Sequence, residues 1–231
     1  MVTRKPKAAA APAATPPPAA PTQLRVCLTL THLQRQFAAW MSSPVGARGY
    51  VPMEGTHSLL VEVAPGMAIQ RIMDTALRSE PDLVPGMLAV ERQFGVMELH
   101  SDDLDLLKRG KQAMLRGLGA SEADVLPPQI LYSDIIDDIT DQHAVMINRA
   151  RQANMILPGQ SMLIMEVAPA LYGAVMGNES EKAVATNTLV ECSMIGASGR
   201  MYLAGERKDL EVAKAAVEKA LAALVQPTGQ G

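Results

Sequence analysis

The sequence predicts an α+β protein made of two tandem units, each an antiparallel-type sheet with helices packed on it. Three observations carry this prediction. Glu62-Val63-Ala64-Pro65 recurs as Glu166-Val167-Ala168-Pro169, 104 residues later. The same separation pairs Gly55 with Gly159, Leu59 with Leu163, Gly95 with Gly199, Met97 with Met201, Leu99 with Leu203, Asp105 with Asp209 and Leu106 with Leu210, without a gap. Within each unit, apolar runs of strand length alternate with stretches of helical period. The units are placed at residues 24–123 and 124–226, joined near Gly119–Pro128, where Gly, Ser, Asp and a Pro-Pro pair gather.

Residues 1–23 read as a disordered Ala/Pro tail. Eight Ala and six Pro fall within the first 22 positions; the prolines forbid a continuous helix, and alanine methyls bury too little area to offset the entropy of ordering. Arg4, Lys5 and Lys7 give the basic start of a signal peptide, but the Leu-like hydrophobic centre is missing. Leu24–Leu30 then alternates as a half-buried strand, and a short helix carrying Leu33, Phe37 and Trp40 follows. Ser58–Ala64 and Met162–Ala168 are apolar strands, each ending at a proline, which lacks an amide donor and suits the first turn of a helix. In the first unit that helix shows a stripe of Met67, Ile69, Ile72, Met73, Ala76 and Leu77. In the second, Leu171, Val175, Met176 and Ala183 are sparser, and Gly173 and Gly177 weaken the pattern. Hairpins come next, Gly86–Glu91 with Gly95–His100 and Thr188–Ile195 with Gly199–Ala204; helices over Leu104–Leu118 and Leu210–Leu224 close the units. The stretches before each shared strand, Leu24–Val51 and Gln129–Ile156, fall outside the common register.

Composition narrows the function. Lys plus Arg number 21 against 24 Asp plus Glu, a net charge of −3, so no basic field is available for nucleic acid or an acidic membrane surface. Aromatics make up 3% of the chain, which leaves few platforms for stacking bases. No apolar run reaches the roughly 18 residues of a membrane span. Cys27 and Cys192 lie in no CxxC or Cys/His cluster, which points to a reducing cytosol rather than a disulfide scaffold or a metal site.

Chemistry-bearing motifs are sparse. Asp134, Asp137, Asp138 and Asp141 have the spacing of one helical face, yet the Gly turn and closing Glu of a calcium loop are missing, so they read as an acidic surface. His32, His57, His100 and His143 are scattered. His100 precedes Asp102 and Asp103, a base with its orienter in principle, but its repeat counterpart is Ala204. Gly196-Ala-Ser-Gly199 joins two strands and lacks the helix N-terminus that a phosphate loop requires. No catalytic residue, cofactor or metal is assigned. What does stand out is a divergence at the hairpin turns: Val90-Glu91-Arg92-Gln93-Phe94-Gly95 is charged, and Met194-Ile195-Gly196-Ala197-Ser198-Gly199 is small and neutral.

At these residues the sequence resembles a bacterial microcompartment shell protein, through Ile195–Gly205, the helix Asp209–Leu221 and the Glu-Val-Ala-Pro strand ends. It is most similar to the tandem-domain, circularly permuted, double-stacking type known from carboxysomes, by way of Glu62–Met67, Val90–Arg92, His143–Arg149, Asn178–Lys182 and Gly199–Gly205; the likeness spans Leu24–Leu224. The resemblance implies a homotrimer forming a pseudohexagonal tile that can stack face to face, beside hexameric and other shell proteins, in a shell in the bacterial cytoplasm. It implies a gated pore for metabolites on the three-fold axis, with Glu91, Arg92, Gln93 and Phe94 as the gate and Ile195, Gly196, Ala197, Ser198 and Gly199 as the second pore loop. Tile edges would use Lys182 and its counterpart Arg78, which stands where a lysine is usual; Ser198 stands where many relatives carry Phe. The alternative is a soluble trimeric protein that binds or senses a small molecule. Neither is an enzyme.

Overall fold

The computed structural model describes residues 21–42, 47–149 and 154–225, so nearly all of the tail predicted over 1–23 lies outside the described residues. The first unit runs β1 (Gln23–Leu30), α1 (Arg35–Met41), β2 (Ala47–Arg48), β3 (His57–Ala64), α2 (Ala68–Ser79), β4 (Val84–Glu91), β5 (Phe94–Ser101) and α3 (Leu104–Leu118). A single 3-10 turn, Glu122–Asp124, leads to β6 (Gln129–Ile136), α4 (Asp141–Arg149), β7 (Ser161–Ala168), a 3-10 turn at Ala170–Tyr172, α5 (Gly173–Ala183), β8 (Thr188–Ser193), β9 (Gly199–Gly205) and α6 (Arg207–Ala223). The sheets have the orders β1-β3-β5-β4-β2 and β6-β7-β9-β8, antiparallel throughout. α3 shows why its boundaries are sharp: the Asp103 carboxylate accepts from the Asp105 and Leu106 amides at its start, and Gly119, at φ 65°, ends it in the left-handed region.

Three sequence expectations change. The segment before β7 is the same strand and helix as before β3, displaced by 106 residues instead of 104, and the bulge between Leu24 and Val26 recurs between Ile130 and Tyr132. The missing two residues fall before β7, in connecting chain that tolerates deletion. The four aspartates do not share a helical face: Asp134 is on β6, Asp137 and Asp138 lie in the turn after it, and Asp141 opens α4. Pro65 and Pro169 follow cis peptide bonds and form turns of their own, with α2 beginning at Ala68 and a 3-10 turn preceding α5.

One core lies between the first sheet and α2 and α3, built from Leu59, Val61, Val63, Ile69, Ile72, Met97, Leu99, Leu107 and Met114. A second crosses between the units: Val26, Leu28, Leu30, Phe37 and Leu60 join Leu171, Tyr172, Val175 and Val217. A smaller one seats Ile139, Ala144 and Ile147 on Met162, Val190 and Ala204. Methionine and aliphatic side chains fill these layers, as the low aromatic content requires.

Candidate functional site

The charged turn grows out of the β4–β5 ladder. Pairing persists to Glu91 opposite Phe94, so the loop itself is only Arg92 and Gln93. Arg92 has φ 54°, the conformation that two-residue hairpins demand of their first loop residue. Glu91, Arg92 and Gln93 are exposed. Arg92 Nε stands 3.5 Å from Glu91 Oε1, with the two side chains 90% and 51% exposed, a pair worth about 0–1 kcal/mol.

Phe94 behaves differently from its three neighbours. It is partly buried, and the Arg25 guanidinium lies 4.0 Å from the centre of its ring. Arg25 Nε donates to Glu62 Oε1 at 2.6 Å, and Glu62 Oε2 accepts the Leu171 amide of the second unit at 3.0 Å. Glu62 is fully buried; burial lifts its pKa above the ordinary carboxylate value, and the Arg25 and Leu171 hydrogen bonds pull it back. Arg25 and Glu62 were not singled out as site residues from the sequence. The available signal was an acid inside an otherwise apolar strand, repeated at Glu166.

The second turn is anchored by that counterpart. Met194 is buried, Ile195 packs against the core, Gly196 has φ 117° and Ala197 is exposed. Ser198, the counterpart of Phe94, donates its hydroxyl to Glu166. Both units therefore tie the start of the second hairpin strand to the glutamate of Glu-Val-Ala-Pro, one through Arg25 and the other directly. Close packing explains the glycines beside them: a Cβ at Gly95 would lie 2.1 Å from the Gly66 carbonyl oxygen, and one at Gly199 2.2 Å from that of Ala170.

Arg78 and Lys182 occupy the last turns of α2 and α5 and are mostly exposed, Arg78 Nε 2.6 Å from Asp74 Oδ2 and Lys182 Nζ 3.6 Å from Glu179 Oε2. Both favour the negative end of their helix. His100 does not meet Asp102 or Asp103. Its Nδ1 is 3.2 Å from Glu98 Oε2, while Asp103 caps α3. Burial pushes the Cys27 thiol up to about 11 and the Cys192 thiol up to about 12, so neither is a thiolate nucleophile at neutral pH.

The profile of the CsoS1D N-terminal domain family matches residues 24–124. The chain is 38% identical over 199 residues to the carboxysome shell protein CcmP of Synechococcus elongatus, covering 86% of this chain and 92% of that protein. It is 41% identical over 201 residues to the carboxysome shell protein CsoS1D of Hydrogenovibrio crunogenus, covering 86% and 96%. Among solved structures, a double ringed trimeric shell protein from the RMM microcompartment is 51% identical with a TM-score of 0.84, covering 87% of this chain and 97% of that one. A fused permuted hexameric shell protein, also from the RMM microcompartment, is 38% identical with a TM-score of 0.83, covering 87% and 98%. The two solved RMM shell proteins therefore share this chain's fold over most of its length. On fold and on sequence across nearly its whole described length, the chain belongs to the tandem permuted bacterial microcompartment shell proteins, the family of CcmP and CsoS1D.

Proposed function

We propose that this chain is a structural tile of a microcompartment shell, in which three copies, each with domains over 24–123 and 124–226, close into a pseudohexagon around a gated pore. The observation that carries the gate is the contrast between two matched hairpins: an exposed Glu91-Arg92-Gln93 tip and a small neutral loop over Ile195–Gly199. Around a three-fold axis, three charged tips alternate with three small ones. Like charges crowded on the axis repel, so a closed pore requires each Glu91 to meet Arg92 of a neighbouring chain. The long, weak pair inside one chain leaves both groups free to exchange partners, and an open pore has the tips turned aside. Phe94, held by Arg25, serves as the fixed base of the moving tip. Arg78 and Lys182 lie on the rim, facing neighbouring hexameric tiles, and two trimers stack face to face around a chamber that metabolites cross. The role is structural rather than enzymatic, a reading that the shell-protein names of the relatives support.

The names of the curated relatives favour a carboxysome. One specific observation favours a second placement: the 51% identical solved relative comes from the RMM microcompartment. A soluble sensor is the weaker reading, because relatives matched over more than nine-tenths of their own length are shell proteins. Cryo-electron microscopy of the purified protein beside its Glu91→Ala/Arg92→Ala variant tests the proposal. Expected are trimers for both, a closed class with interchain Glu91–Arg92 pairs in the parent, and only open pores in the variant. A monomeric parent, or a parent with no axial opening in any class, overturns it.

A further inference from the structure

Within one chain the units meet head to tail. The leading strand and helix of the first unit lie on the α5–α6 face of the second: Leu28 and Leu30 share a groove with Val175, Ala220 and Leu224. Such a contact joins two different faces, so each unit keeps one face unused, β6–α4 on the second unit and α2–α3 on the first. The counterparts of covered residues are bare there. Val26 is 0% exposed and its counterpart Tyr132 51%; Leu171 is 0% exposed and its counterpart Met67 68%. Ile130 and Leu131 extend the bare strip on β6.

In the trimer these two faces meet between neighbouring chains, and we infer that their register is set by Asp134 of one chain lying between Arg71 and Arg116 of the next. The inference rests on the trimeric reading above. It comes from transferring the contact inside the chain onto its counterparts. Leu28 becomes Asp134 at a separation of 106 residues, while Val175 and Ala220 become Arg71 and Arg116 at 104. An apolar contact within the chain is thus replaced, on both sides at once, by an acid and two bases. The charges are also available. Arg71 and Arg116 are exposed and pair with no acid among the described residues. In the groove beside Asp134, Arg207 is held by Asp137 and Glu211 and Lys214 faces Glu218, so Asp134 has no cation of its own among the described residues. Among the described residues its carboxylate accepts only from the Tyr132 hydroxyl and the Ile135 amide.

Light scattering at fixed ionic strength tests this on the full chain. The parent should have three times the 24.6 kDa chain mass, or six times where trimers stack. Asp134→Arg, and separately the double variant Arg71→Asp/Arg116→Asp, should fall to the mass of one chain while keeping the parent's circular dichroism. All three changes in one chain restore opposite charges at every interface and should return the trimer. Asp134→Asn, which keeps the shape of the side chain, should raise trimer dissociation about tenfold or more and flatten its dependence on salt. Charge-reversed variants that remain trimeric beside a trimeric parent, or a folded triple variant that stays monomeric, overturn this pairing and leave the tile proposal standing. A monomeric parent overturns both.

Discussion

Glu98 lies fully buried in β5, with the Ser58 hydroxyl donating to Oε1 at 2.5 Å and His100 Nδ1 3.2 Å from Oε2. Burial lifts its pKa above the ordinary 4.5, and the contacts with His100, Ser58 and the backbone at Gly86 pull it only partly back. The folded chain therefore holds more protons than the unfolded one between those two values. This contribution to stability is complete at low pH, declines as pH rises from about 4.5 through the folded pKa, and is level beyond. Glu98→Gln keeps the shape and removes the titration. Denaturant unfolding of both proteins across pH should show the variant's advantage growing over that window and then holding constant; a pH-independent difference would refute the assignment. The sequence displays His100 beside two aspartates, and their adjacency in the chain suggested a pair. β5 ends at Ser101, so Asp102 and Asp103 lie beyond the strand, where Asp103 caps α3, and alternation leaves Glu98, two residues back, on the face of His100.

At the scale of elements, α1 is the informative case. It has seven residues, too few to hold a helix alone, and Gln34 at its N-cap offers no side-chain cap. Its first amides are satisfied by α5 of the other unit: Gln34 N donates to Asn178 Oδ1 at 3.0 Å, and Gln36 N and Phe37 N donate to the two Glu181 carboxylate oxygens at 2.8 and 3.0 Å. Glu181→Ala strands two donors at a buried contact and should cost about 1–3 kcal/mol in urea unfolding. Lys182→Ala, one residue along and exposed, should stay within about 0.5 kcal/mol. Equal effects would show that α1 is not held this way. One of the glycines that weaken the helical pattern of α5 in the sequence has its explanation here: a Cβ at Gly177 would meet Cys192 Sγ at 2.6 Å and the Phe37 ring at 2.7 Å. Low propensity is the cost of seating a phenylalanine from the other unit, and propensity alone cannot display that partner.

For the whole molecule, the Ala/Pro composition of the tail predicts that deleting residues 1–22 leaves thermal unfolding and assembly mass unchanged; loss of either would give the tail a structural role. The sequence by itself determined the repeat, the order of strands and helices in the segment both units share, the matched hairpins and their chemical divergence. These are properties of spacing along the chain, where apolar periodicity and shared motifs can be read directly. Only the tertiary structure decided that β6 and α4 repeat the first unit's leading strand and helix, because β1 packs on the other unit of its own chain and β6 does not, and the residues on those faces, Val26 and Leu28 against Tyr132 and Asp134, share no chemistry that a sequence comparison could match. It also separated four aspartates that a helical period would have grouped, and brought Arg25, Glu62 and Phe94 together from three strands. Such groupings depend on which faces are buried against which, and burial is a property of long-range contact that no local pattern contains.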